Sequence, residues 1–138
     1  MNTEQIMHEG KLWAVIIRAG QAPPGVHFFT PDDNSLQVGG HVRPKGTVIV
    51  PHTHCEVKGG RTAAGYLQEV LYIQQGRLKV TFYTNEGSPI AERVLQTGDT
   101  ILLICGGHGF EVLDDVRMLE IKMGPYDPAS KKNLEVRS

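Results

Sequence analysis

The sequence predicts an all-β fold in a single domain, and three observations support this class. The chain has 138 residues, slightly fewer than the roughly 150 that serve as a prior for one domain. Its 16 Gly and 8 Pro residues separate short segments rich in Val, Ile, Leu, Thr and Tyr, a pattern typical of strands in a sandwich or barrel. No segment keeps the apolar spacing of a core helix over ten or more residues.

Ten strands follow from these segments, each bounded by turn-forming residues. They are Leu12–Arg18, Val26–Thr30, Ser35–Val42, Thr47–His54, Gln68–Gln75, Arg77–Thr84, Ala91–Leu95, Thr100–Ile104, Gly109–Leu113 and Val116–Lys122. We expect a barrel core over about residues 35–123, flanked by strands within 12–30 and a tail over 124–138. Gln75-Gly76 predicts a tight hairpin with positive φ at Gly76, and Asn85–Gly87 and Asp114-Asp115 predict further turns. Asp127–Asn133 predicts a single helical turn or a frayed tail.

Charge and hydropathy exclude several classes of partner. The chain carries 14 Lys and Arg against 15 Asp and Glu, so it has no general basic field for nucleic acid. No run reaches the roughly 18 apolar residues of a membrane helix, and the N-terminal apolar stretch is too short for a signal peptide. Two cysteines, Cys55 and Cys105, cannot form a disulfide framework. We therefore expect a cytoplasmic protein without nucleic-acid or membrane partners.

Two histidines on one predicted strand are candidate metal ligands. His52 and His54 are two residues apart, so their side chains leave the same face of the strand. Their Cα atoms would lie roughly 6.6 Å apart, and both imidazoles can then reach one ion at about 2.0–2.1 Å. Pro51 just before them suits an edge or a rim. The alternative is a pair of surface or packed histidines.

Glu69 and His108 are candidates of the same kind. Glu69 begins an otherwise apolar strand, Val70–Ile73, and is either a solvated rim residue or an inward ligand. His108 follows an apolar run and is flanked by glycines in the segment Cys105–Gly109, where it is either a placed ligand or a loop histidine without a role. Each residue alone leaves both possibilities open.

The joint arrangement of these residues resembles the two motifs of the cupin family. Gly46 precedes His52-Thr53-His54 by five residues, six residues separate Glu69 from Gly76, and Gly98 and His108 follow. The resemblance spans Gly46 to about Val112. Three features depart from the motifs. Fourteen residues separate His54 from Glu69. Before His108, Ile104 stands where the motif has Pro and Gly106 is one residue closer to the histidine than in the motif; after it, Glu111 or Val112 stands where the motif has Asn. A longer loop accommodates the gap because closure entropy grows slowly with length.

The resemblance implies a cupin-type β-barrel, also called a double-stranded β-helix or jelly roll. It also implies four protein ligands for a divalent metal ion, namely His52, His54, Glu69 and His108. Nitrogen and oxygen donors without thiolate suit Fe, Mn, Ni, Co or Zn. Ligand identity does not choose among these metals.

Further candidates lie on the predicted strands around that site. His41, Tyr72 and Glu120 are candidate proton carriers, against the alternatives of packed core residues or a solvated strand face. The segment Lys58–Arg61 is either a lid that clamps an anion or a solvated loop. Cys55 and Cys105 are expected to be inert thiols.

These features predict a metal-dependent enzyme acting on a sugar-like or keto-acid metabolite through Lewis-acid polarisation. The segments Leu36–Gly39 and Glu120–Tyr126 also resemble a small cupin group associated with surface-polysaccharide and sugar-nucleotide gene sets, which implies a sugar-related ligand. A divalent ion with one carboxylate ligand leaves a positive site, so an anionic ligand also fits. The alternatives are an Fe(II)-dependent dioxygenase and a non-catalytic ligand-binding or sensing module. Residues Leu12–Arg18 are a plausible exposed edge, and we expect a homodimer.

Overall fold

The computed structural model describes residues 3–20, 22–54 and 66–138, and these form ten strands. The strands are β1 Thr3–His8, β2 Lys11–Ile17, β3 Gly25–Phe28, β4 Leu36–Arg43, β5 Val48–His54, β6 Glu69–Tyr83, β7 Pro89–Gln96, β8 Thr100–Leu103, β9 Gly107–Met123 and β10 Lys131–Asn133. A 3₁₀ turn at Pro128–Ser130 precedes β10. The predicted all-β class is confirmed. The candidate lid Lys58–Arg61 and Cys55 lie outside the described residues.

Strands β3 to β10 form one curled antiparallel sheet built around two long strands, β6 and β9. These two pair with each other from Glu69↔Lys122 to Tyr83↔Gly107. The other edge of β9 pairs first with β5 and then with β4, and the other edge of β6 pairs with β8 and then with β7. The sheet therefore has two halves that share β6 and β9.

The bend between the two halves lies at Gly76, where the sequence predicted a hairpin. Gly76 has the expected positive φ of 97°, but β6 continues through it with a series of register shifts against β9. β6 keeps β9 as its partner on both sides of Gly76, so the chain bends here in a bulge and does not reverse. The predicted turn at Asp114-Asp115 lies within β9, opposite the bulge. The hairpin prediction was wrong for this reason. Before the bulge the buried core residues of β6 are odd-numbered, Leu71 and Ile73, and after it they are even-numbered, Leu78 and Val80.

The apolar core lies around this bend. Its members are buried side chains of β6, β8 and β9, namely Leu71, Ile73, Leu78, Val80, Leu103, Phe110, Val112, Val116 and Met118. Beyond them, on the same inner faces, the buried residues become polar and include His52, Glu69, His108 and Glu120. Buried ionisable groups are rare unless they are paired or bind a metal. This polar end of the interior is therefore the part of the fold that needs a functional explanation.

We predict that Gly76→Ala lowers the free energy of unfolding by about 3 kcal/mol. An alanine strains the backbone at positive φ, and its Cβ would overlap the carbonyl oxygen of Asp115 and lie 2.9 Å from the carbonyl carbon. Gly98→Ala is the matched control, because Gly98 has a φ of 92° with no atom within 4 Å of the added Cβ. Urea denaturation of both variants measures the difference. Equal losses would show that β9 does not hold the bulge in place.

The two ends of the chain are also built from strands. β1 and β2 form a separate two-stranded sheet in which Trp13 is 69% exposed; the sequence predicted the second strand but not the first. The predicted helical turn near the C-terminus is the 3₁₀ turn, in which the Asp127 side chain accepts a hydrogen bond from Ala129 N. After it, β10 pairs with β5 and places Lys131 opposite His54. The homodimer stays a prediction.

Within the described ranges, the chain has no helix of the length and apolar character that crossing a membrane requires.

Candidate metal centre

Three histidines converge at the polar end of the barrel interior. His52 and His54 leave the same face of β5, and His108 of β9 is the direct cross-strand neighbour of His52. The ring centroid of His52 lies 4.8 Å from that of His54 and 4.7 Å from that of His108. One ligand nitrogen from each of the three residues lies within 4.8 Å of the others. The alternation of β5 and the β5–β9 register together produce this cluster.

Glu69, at the start of β6, closes the cluster from the other half of the sheet. Its Oε1 lies 3.3 Å from His54 Nε2, and its Oε2 lies 3.3 Å from His108 Nε2. Two donors that each lie about 2.1 Å from one ion are roughly 3.0–3.5 Å apart at octahedral or tetrahedral angles. These separations match that geometry. The structure thus brings all four residues of the predicted ligand set together.

The protonation state of the histidines suits metal binding. Burial lowers the pKa of His52 to about 4, of His54 to about 3 and of His108 to about 4. All three imidazoles are therefore neutral at pH 7, which is the form that ligates metals. His52 Nδ1 donates to the carbonyl oxygen of Val50 at 2.8 Å, so its Nε2 keeps a free lone pair.

An orphaned nitrogen indicates that the cluster fits a metal ion. His108 Nε2 is buried and has no hydrogen-bond partner, because the nearby Glu69 oxygen lies outside hydrogen-bond geometry. A buried polar atom without a partner costs about 1–3 kcal/mol. A cation between the three imidazoles and the carboxylate would satisfy it. Small movements of the side chains suffice, since the widest nitrogen separation only slightly exceeds twice a typical ligand distance.

A second carboxyl group, Glu120 of β9, forms a buried network with Glu69 and His41. His41 Nε2 donates to Glu120 Oε2, and Glu69 and Glu120 share a hydrogen bond. Burial and the charge of Glu120 raise the pKa of Glu69 to about 9. Burial also opposes the charge on Glu120, but the hydrogen bonds from His41 and Glu69 hold the pKa of Glu120 below its ordinary value. The two carboxyl groups therefore favour holding one proton between them at pH 7, and Glu69 is the more basic of the pair.

A cavity of about 220 Å³ opens in front of the cluster. It is lined on its polar side by His41, Arg43, His52, His54, Glu69, Glu120, Lys122 and Lys131. Its apolar walls come from Val26, Phe28, Ile49, Leu71, Phe110 and Met118. A concave cavity in which apolar walls surround convergent polar groups is the usual form of a small-molecule site.

The structure places the three candidate proton carriers differently. His41 and Glu120 lie in the cavity wall and contact each other. Tyr72 is 42% exposed, because it alternates with Glu69 and Leu71 and so points to the opposite face of β6. The structure does not bring Tyr72 to this cavity.

Two cationic residues of the cavity were not singled out from the sequence. Arg43 shares a strand face with His41, and this i, i+2 relation is a signal that could have identified it. Lys131 has no such signal, because only the pairing of β10 with β5 brings it to the site. Cys105 is a free, exposed cysteine.

Comparison with solved structures finds proteins of the same fold at low sequence identity. Oxalate decarboxylase from Bacillus subtilis is 18% identical, with a TM-score of 0.61 over 83% of this chain and 29% of the other. Oxalate decarboxylase from Lactobacillus farciminis, in a formate complex, is 18% identical, with a TM-score of 0.59 over 83% of this chain and 33% of the other. KdgF from Halomonas sp. is 21% identical, with a TM-score of 0.53 over 80% of this chain and 89% of the other.

These likenesses confirm the cupin-type β-barrel predicted from the sequence. The chain spans about a third of the length of the two oxalate decarboxylases that it matches. No protein-family model matches the sequence, and no curated protein does.

Proposed function

We propose that this chain, which has the cupin fold, is a metal-dependent enzyme acting on a small sugar-like or keto-acid metabolite. His52, His54, Glu69 and His108 would hold a divalent ion. The observation that carries the proposal is the convergence of three neutral imidazoles, two buried and that of His54 half-buried, with one carboxyl group, while His108 Nε2 is left without a partner. Such a group is costly to maintain without a ligand.

A bound divalent ion would supply Lewis-acid polarisation of substrate oxygens at this site. The donor set of nitrogen and oxygen atoms suits Fe, Mn, Ni, Co or Zn. The apolar walls from Phe28, Ile49 and Phe110 exclude water from one side of the substrate, which strengthens the electrostatic interactions there. The chain therefore provides both a ligand set and a partly dry reaction space.

His41 and Glu120 are proposed to move a proton on the substrate. Glu120 orients the imidazole through Nε2, and His41 Nδ1 is buried and without a hydrogen-bond partner. This is the arrangement of a base held in one orientation by a carboxylate. His41 Nδ1 would accept or donate the proton, and the negative charge on Glu120 would stabilise the imidazolium that forms.

Turnover by the metal-loaded protein tests the proposed activity. The chain is loaded with Mn(II), Zn(II) or, without oxygen, Fe(II), and incubated with a panel of small sugars, sugar acids and keto acids followed by NMR. We expect conversion of at least one compound, and at least a hundredfold slower conversion by His41→Gln at unchanged metal content, because general acid–base catalysis contributes about 10²–10⁴. His27→Gln is the control, since His27 is exposed, lies outside the cavity and hydrogen-bonds to Pro24 O.

The same experiment separates the alternatives. Oxygen uptake that matches substrate loss, seen only with Fe(II), would identify a dioxygenase. Full metal occupancy without conversion of any compound would contradict an enzyme of this substrate class and favour a module that binds or senses a small ligand.

A further inference from the structure

Three cationic side chains line the cavity in front of the proposed metal site. They are Arg43 of β4, Lys122 of β9 and Lys131 of β10. Two carboxyl groups, Glu69 and Glu120, face the same cavity, so its cationic side chains outnumber its acidic ones by three to two. Positive charge is therefore in excess in this cavity, and a divalent ion would increase the excess.

Arg43 is the member of this group that most needs a partner. Its Nε atom is buried and makes no hydrogen bond, and no acid of residues 3–20, 22–54 or 66–138 forms an ion pair with it. A guanidinium group only donates hydrogen bonds, and its planar fork matches the oxygens of a carboxylate or phosphate. The unpaired N–H group is thus ready to bind an anionic ligand.

The two lysines differ in how far they are already engaged. Lys122 Nζ lies 3.9 Å from Glu120 Oε1 and 4.6 Å from the centroid of the Phe28 ring. Lys131 forms no ion pair among the described residues, and its strand pairing with His54 holds it at the cavity. Arg43 and Lys131 are therefore the cations available to a ligand.

We propose that Arg43 and Lys131 form a subsite for the carboxylate or phosphate group of a small organic anion. This inference rests on the proposed function and narrows its substrate class from sugar-like or keto-acid metabolites to those that carry an anionic group. The anionic group would bind Arg43 through its oxygens, while the rest of the molecule would face the histidine cluster. A cavity of about 150 Å³ holds a molecule of benzene size, so 220 Å³ holds roughly nine non-hydrogen atoms, the size of a four-carbon sugar acid.

A matched set of ligands tests the subsite. Erythritol is the neutral probe, erythronate has a carboxylate in place of one of its CH2OH groups, and glycerol 3-phosphate carries a phosphate on a molecule of similar size. Binding to the full chain, with and without Zn(II), is measured by saturation-transfer NMR and calorimetry. We expect one or both anions to bind at least tenfold more tightly than erythritol, because a hydrogen bond to a charged group contributes about 1.5–3 kcal/mol. The ratio of the two anion affinities identifies which anion the subsite prefers.

Variants of Arg43 and Lys131 test whether these two residues produce the preference for anions. Arg43→Gln should bring the anions to within about twofold of erythritol, and Lys131→Gln should weaken the preference severalfold. Arg93→Gln is the control, because Arg93 lies on β7 outside the cavity and donates to Glu92 O. If Arg43→Gln does not fold, Lys131→Gln still tests the subsite, since Lys131 is exposed.

Two results would overturn the subsite: equal affinity for all three probes in the unmodified chain, or an anion preference that survives in both variants. Metal content measured on the same samples separates this inference from the proposed function. Anion preference that Arg43→Gln removes, in a chain that holds no metal, would support the subsite and contradict the metal-dependent function. Full metal occupancy without anion preference would contradict the subsite and leave the proposed metal site standing.

Discussion

The variant His52→Ala/His54→Ala loses stoichiometric binding of divalent metal ions. It removes two of the three imidazoles that lie within 4.8 Å of one another, and leaves His108 and Glu69 as the remaining donors. Removing a residue that only hydrogen-bonds to a metal ligand already lowers the affinity for the metal about 10–100-fold. Loss of two ligands should therefore weaken binding by on the order of 10³ or more. Metal analysis after dialysis, with calorimetry for the affinity, measures the change.

The matched control for this variant is His8→Ala/His27→Ala. It removes the same number of imidazoles from exposed positions outside the cluster and should retain all of the metal. Thermal unfolding of both variants shows that the fold is kept. Equal metal content in the two double variants would remove the metal site from the proposal and with it the proposed Lewis-acid chemistry.

Metal binding at pH 7 releases about one proton from the unmodified chain, and none from Glu69→Gln. The pKa of Glu69 is raised to about 9, so the group is protonated at pH 7 and has to lose its proton to become a ligand. The histidines release none, because their pKa values of about 3–4 leave them neutral at this pH. The affinity for the metal ion should therefore rise with pH, by about tenfold for each pH unit between roughly pH 5 and 9.

Calorimetry in buffers of different ionisation enthalpy counts these protons. Glu92→Gln is the control, since Glu92 lies on β7 and its carboxylate accepts from Thr81 at the surface. Below about pH 4 the imidazoles become cationic and should compete with the metal, so affinity should fall more steeply there. Release of two or more protons at pH 7 would contradict the neutral state assigned to the histidines, and release of none would contradict the protonated state of Glu69.

The parts of the site that lie within one strand could be predicted from the sequence. Side chains alternate along a strand, so the spacing of His52 and His54 placed both on one face, and the spacing of Glu69, Leu71 and Ile73 placed these on another. The resemblance to the cupin motifs joined these strands into one ligand set. The low identity to solved cupins did not weaken this inference, because a few ligand positions and glycines carry it.

The contacts between distant strands could not be predicted in this way. Alternation along β6 does not say which of its faces is buried, so Tyr72 stayed a candidate proton carrier beside the proposed ligand Glu69 until the packing of the sheet separated them. The hydrogen bond between His41 and Glu120 depends on the β4–β9 register.

The sequence by itself determined the all-β class and the positive φ at Gly76, because these depend on local periodicity and on turn chemistry, and its resemblance to the cupin motifs implied the candidate ligands. Only the tertiary structure decided that the chain bends at Gly76 instead of reversing, and that Arg43 and Lys131 reach the same cavity as the histidines. The reason is physical: a pairing between segments far apart in the chain is stabilised by the packing of the whole sheet. No short stretch of sequence encodes that packing.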